Sequence, residues 1–195
     1  MISIFVAGLM LAAADAPSAT AQSDPPIEAE LSADVTGDGR VDHVTVSGGG
    51  DSRRLIVKAA SDAGPIQIGS VALSEDSLMN TDLEMRDGVL LVGELSGGTT
   101  AVSSLYRYRY DPAVRRMRLI GDDVTVYSRT YAHGMTEVST NRLTGQRTTT
   151  RSELAPKSFA PQAYRPGRVT RSRVSRTPIW MEDSPDPWQT VGMGD

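Results

Sequence analysis

The chain has 195 residues, with 20 Lys and Arg, 24 Asp and Glu, 2 His and no Cys, for a formal charge of -4. This length holds one domain plus tails. The missing thiols exclude disulfide frameworks, cysteine nucleophiles, Cys-ligated zinc and iron–sulfur clusters, and two imidazoles leave little for other transition metals. Charge is divided along the chain: residues 1–100 carry 15 acidic and 5 basic side chains, a balance of -10, and residues 101–195 carry 9 and 15, a balance of +6. The division suits either an anionic partner for the basic half or attraction between the halves inside the fold.

The first segment is an apolar run from Ile2 to Ala14, followed by Ala19-Thr20-Ala21, the small-x-small pattern read by a signal peptidase. It reads as a signal peptide over 1–21, with Gln22 opening a periplasmic or secreted protein. A buried N-terminal helix is the competing reading. The run is shorter than the roughly 20 residues that span a bilayer, and no second candidate follows, so no membrane span is expected.

From residue 22 to 154 the pattern is that of short strands. Alternating or apolar runs at 44–46, 55–57, 66–73, 82–86, 89–95, 100–110, 115–120, 124–131, 135–143 and 146–152 are separated by Gly, Asp, Asn and Pro. Asp87-Gly88 predicts a type I′ hairpin, because both turn positions need positive φ. No long amphipathic helix is present. The predicted class is all-β: an antiparallel meander arranged as a sandwich or a partial propeller, followed by an extended C-terminal arm over 155–195. With 39% hydrophobic and 5% aromatic residues, its core must rest on Val, Leu, Ile and Met.

Within the 100–110 strand, Tyr106, Tyr108 and Tyr110 alternate with Arg107 and Arg109. The tyrosines suit a core face; the arginines suit solvent or an acidic partner. The arm carries six prolines, the basic run Arg165, Arg168, Arg171, Arg173 and Arg176, and both tryptophans, Trp180 and Trp188. Tryptophans are poorly spent on solvent, so at least one is expected to dock on the domain or on a partner. Arg107, Arg109, Trp180 and Trp188 are the candidate partner-binding residues.

The clearest motif is Asp34-Val35-Thr36-Gly37-Asp38-Gly39-Arg40-Val41-Asp42. Oxygen donors recur every second residue around Gly39, the position-6 glycine of an EF-hand-like loop. Asp34, Thr36, Asp38, the Arg40 carbonyl and Asp42 can converge on one calcium ion; the same residues also make an Asx/Gly-rich hairpin loop with no metal. Position 12 is Thr45, inside a strand, which departs from a helix-flanked EF-hand. Followed by a strand in this way, the loop resembles the calcium loop of FG-GAP repeats found in β-propellers. That resemblance implies calcium held by these five residues. It occurs once, where propellers repeat their blade.

Tyr106-Arg107-Tyr108-Arg109-Tyr110-Asp111, the Leu119-Ile120-Gly121-Asp122 turn and Asn141-Arg142-Leu143-Thr144-Gly145 resemble, in this order, a family of bacterial envelope proteins. With the calcium-type loop, the arrangement is also similar to small periplasmic β-proteins that inhibit lysozyme or confer immunity to wall-degrading effectors. The resemblance implies an exported calcium-binding β protein that binds a protein partner in the cell envelope, as a hydrolase inhibitor or immunity protein. A calcium-dependent carbohydrate or peptidoglycan module, taking an anionic glycan, is the alternative, and a cell-wall hydrolase a third. Nucleic acid is a poor partner for an exported protein. The chain has no H-E-x-x-H, G-x-S-x-G or phosphate-binding glycine loop, and Glu75, Glu84, Glu94 and Glu137 have no catalytic context, so a non-enzyme is expected.

Overall fold

Period-two segments closed by Gly, Asn and Asp have their lowest-energy solution in hairpins that hide one face. A computed structural model describes residues 25–48, 52–75, 77–79, 81–156, 164–165 and 167–193. The signal-peptide segment 1–21 and residues 157–163 of the arm lie outside them. The described residues form two antiparallel sheets in meander order, with almost no helix and no closed barrel. The smaller sheet contains β1 (Ile27–Ala33), β2 (Asp42–Ser47), β3 (Arg54–Ala59) and β4 (Ile66–Ala72). The larger contains β5 (Asp82–Arg86), β6 (Val89–Ser96), β7 (Thr100–Asp111), β8 (Arg116–Ser128), β9 (Met135–Asn141), β10 (Gln146–Ser152) and β11 (Arg168–Arg173), and the short β12 (Ile179–Trp180) pairs with β8.

The predicted hairpin is present: Asp87 and Gly88 have φ of 51° and 72°, joining β5 to β6. At the β9–β10 turn, Gly145 has φ of 74°, and the Asn141 side chain accepts the Leu143 and Thr144 amides. Two strands expected at 115–120 and 124–131 are instead one, β8, of 13 residues. Gly121-Asp122-Asp123 reads as a turn but runs through the sheet at a register shift against β7. Each aspartate has an arginine to neutralise it: Asp122 faces inward and pairs with Arg142, while Asp123 faces outward and pairs with Arg107 at 2.6 Å. β1 and β11 have no counterpart among the predicted strands. β11 is RVTRSR against the equally polar β10, so pairing alone, without burial, forms it.

The two sheets pack face to face through Val44, Val46, Leu55 and Val57 on one side and Leu90, Val92, Tyr106, Tyr108, Met117 and Leu119 on the other. This is the sandwich alternative of the predicted class. The tyrosines of β7 therefore lie on the core face, as the alternation requires, and desolvation pushes Tyr106 and Tyr108 well above the ordinary phenol range. The arm is laid onto the domain. Ile179 and the fully buried Met181 complete the main core, and a short helix, α1 (Pro187–Thr190), brings Trp188 and Val191 over Val102, Val124, Val126 and Val138 as a second small core. Asp186 starts α1 by accepting the Trp188 amide at 2.7 Å, with Pro187 at the first helical position.

Candidate functional site

The aspartate-rich loop joins β1 to β2 and is held by its own carboxylates. Asp34 accepts the amides of Gly37, Asp38 and Gly39 at 2.7, 3.1 and 2.8 Å. Gly37 and Gly39 have φ of 78° and 84°, which lets the chain curl around that carboxylate. Asp42 is fully buried and accepts the amides of Val35, Thr36 and Ala60, tying the loop to the end of β3. Asp38 accepts the Arg40 amide, and the Arg40 guanidinium pairs with Asp62 at the surface. Thr36 differs from the others: its hydroxyl oxygen is buried without a partner among the described residues. Among the described residues no three acidic or imidazole side chains are gathered closely enough to hold a metal. The donor chemistry suits a hard cation at Asp34, Thr36, Asp38 and the Arg40 carbonyl; the Asp34 and Asp42 carboxylates each accept three amides, but Asp34 is exposed and Asp42 is fully buried.

The candidate partner-binding residues divide between the two faces of the larger sheet. Arg109 stands opposite Arg118, and Arg118 opposite Trp180, so β7, β8 and β12 present these three side chains in one row on the face away from the core. Alternation dictates this, since Tyr108, Leu119 and Ile179, one residue away on each strand, all enter the core. Arg107 shares the outer face but is paired with Asp123. Arg116 lies 5.0 Å from the Trp180 ring centroid and pairs with Glu182 at 3.0 Å, which holds the indole in place. Trp188, carried by α1, is on the other face. It lines, with His133, Thr100 and Arg151, a shallow hollow of ≈ 580 Å³.

Arg109 is exposed, and neither it nor Arg118 has a carboxylate within ion-pair distance among the described residues. Among the described residues the buried Arg118 Nε–H has no acceptor. Like charges directly opposite across a strand pair are destabilising, and an unpaired buried donor adds to that cost. Both arginines line a depression of ≈ 260 Å³ with Tyr110, Asp111, Ile120 and Leu143. The Asp111 carboxylate at its rim is spent on the Ala113 amide of the β7–β8 turn. Arg118 was not among the sequence candidates. Its signal was the spacing of Arg116 and Arg118 around Met117, which repeats the arginine alternation of β7.

A second charged group lies between the sheets. Arg53 is 7% exposed; its Nε and Nη2 donate to the two Glu28 oxygens at 2.7 and 2.6 Å, and its Nη1 donates to Glu94 at 2.9 Å. A register shift between Ile27 and Ala29 in β1 brackets Glu28, as a bulge does where a side chain is re-aimed. Hydrogen bonding to Arg53 holds the Glu28 carboxyl below the usual carboxylate range, against the opposing effect of burial. Glu94 is therefore part of the joint between sheets. No protein-family model, curated protein or solved structure matches the chain.

Proposed function

We propose that the protein is an exported, non-catalytic binding protein of the cell envelope that engages an acidic surface on a protein partner through the outer face of its larger sheet. The observation that carries this reading is the row Arg109–Arg118–Trp180, where two guanidiniums without carboxylate partners among the described residues lie beside an indole fixed by Arg116. Arginine and tryptophan in this setting are the residues that dominate binding energy at protein interfaces. A carboxylate supplied by a partner would pair with the guanidiniums and relieve the repulsion between the arginines. Hydrolases that cut glycans carry paired carboxylates in their clefts, which makes such an enzyme a fitting target for an inhibitor built this way. Immobilised wild-type protein should retain an envelope protein that is released by salt. An Arg109→Glu, Trp180→Ala variant with wild-type thermal stability should retain at least tenfold less, and equal retention by both would reject the reading.

The unpartnered Thr36 hydroxyl favours a second element of the proposal. Calcium held by Asp34, Thr36, Asp38 and the Arg40 carbonyl would neutralise the exposed carboxylates and fasten the β1–β2 connection, in a structural role. A calcium-dependent rise in the unfolding midpoint that is lost in Asp38→Ala tests it; no rise in the wild-type protein would reject it.

A further inference from the structure

The basic half of the chain concentrates its charge at one end of the larger sheet. β10 and β11 carry Arg147, Arg151, Arg168, Arg171 and Arg173, with Arg165 and Arg176 just beyond the ends of β11. Among the described residues none of these seven lies within ion-pair distance of a carboxylate. Arg151 stands directly opposite Arg168, a second cross-strand pair of like charges. Along β11, Arg171 and Arg173 share one face about 6.6 Å apart, and Arg168 points to the other.

β11 is also the terminal strand. One edge pairs with β10 over six consecutive residues without a register shift, and no described strand meets its other edge. All six of its residues are exposed, and neither Pro nor Gly interrupts them. Such an edge offers unpaired N–H and C=O groups to any extended chain. Uniform positive charge closes it to a second copy of β11 and to basic or neutral hydrophobic strands, and leaves it open to an acidic one.

We propose that β11 captures an extended acidic peptide segment by strand addition, with backbone hydrogen bonds along its open edge setting register and the arginines on both faces selecting for Asp and Glu. The site is distinct from the Arg109–Arg118–Trp180 row and does not depend on it.

The probe is a labelled eight-residue peptide alternating Glu with Thr and Val. Its control has the same sequence with every second backbone amide N-methylated, which keeps the charge and removes edge hydrogen bonding. Anisotropy titration of the full chain should give binding that weakens at least tenfold for the N-methylated peptide and at least tenfold for Arg171→Glu, Arg173→Glu. Arg109→Glu should leave it unchanged, which separates this site from the outer-face row. Both variants change exposed side chains and should keep the wild-type unfolding midpoint, and added peptide should slow amide exchange in β11. Equal affinity for the two peptides would show attraction without strand addition and overturn the proposal, as would absence of binding at low salt. Loss of peptide binding in Arg109→Glu alone would also overturn it.

Discussion

Replacing Arg53 with Ala removes the one cation between two carboxylates at the joint of the sheets. Its side chain is 7% exposed, and those of Glu28 and Glu94 are 18% and 8% exposed. Taking one partner from a buried pair costs about 3–5 kcal/mol, because the charges left behind are uncompensated. Glu28 keeps the Thr81 amide at 2.9 Å and Glu94 keeps the Thr81 hydroxyl at 3.2 Å, so the middle of that range, about 4 kcal/mol, is expected. At about 2–4 °C per kcal/mol for a chain of this size, the unfolding midpoint should fall by about 8–16 °C. Arg86 is the control. It makes bonds of the same chemistry to Glu84 at 2.7 and 2.9 Å, but the pair is 65% and 46% exposed, and Arg86→Ala should cost less than about 1 kcal/mol. Urea unfolding of both variants at neutral pH measures the two losses. The carboxyl of Glu28 sits below its ordinary range in the folded state, so its contribution is complete above about pH 5 and is lost as the pH falls through the depressed value. The deficit of Arg53→Ala should therefore shrink in acid. Equal losses for Arg53→Ala and Arg86→Ala, or a deficit unchanged down to pH 3, would refute the reasoning.

Three further predictions concern the arm, the loop and one glycine. Met181 is fully buried between the sheets although it belongs to the C-terminal arm, so Met181→Ala should cost about 2–5 kcal/mol in urea unfolding; a loss below about 1 kcal/mol would mean that the arm does not complete the core. In calcium-free protein, Asp42→Ala should cost about 3 kcal/mol or more by stranding the Val35, Thr36 and Ala60 amides, while Thr36→Val, which removes only an unpartnered hydroxyl, should change stability by less than about 0.5 kcal/mol. Gly97 has φ of 77° and a Cβ there would lie 2.3 Å from the Thr100 carbonyl oxygen, whereas a Cβ at Gly98 meets nothing within 4 Å. Gly97→Ala should lower stability by about 1–3 kcal/mol and Gly98→Ala by much less, as thermal unfolding would show.

Where a strand buries one face, its alternation was visible: β7 places Tyr106 and Tyr108 inward and Arg107 and Arg109 outward as its sequence reads. Turn chemistry was equally legible at Asp87-Gly88, because positive φ at two successive residues is a local demand. β10 and β11 were harder, for opposite reasons of context. Gln146–Ser152 is marked by the turn before it, but Arg168–Arg173 buries nothing, follows a proline-rich stretch and becomes a strand only because β10 offers an edge. The acidic residues of β8 read as a turn because their neutralising arginines come from β7 and from the turn after β9, 16 and 20 residues away. In the candidate site, Arg109 and Trp180 are each legible alone; their alignment through Arg118 depends on β12 pairing with β8, a contact between distant segments that local pattern does not encode. The same holds for the Asp42 carboxylate, whose third partner, the Ala60 amide, arrives from the end of β3.

Arginine-directed footprinting of the protein, alone and bound to the envelope protein it retains, tests the central claim most directly. Phenylglyoxal modification followed by peptide mass analysis gives the reactivity of Arg109 and Arg118 relative to Arg54, which is exposed on the smaller sheet. The account predicts that Arg109 and Arg118 become protected at least tenfold in the complex while Arg54 is unaffected. Unchanged reactivity of both in a saturated complex would place the partner elsewhere and contradict it.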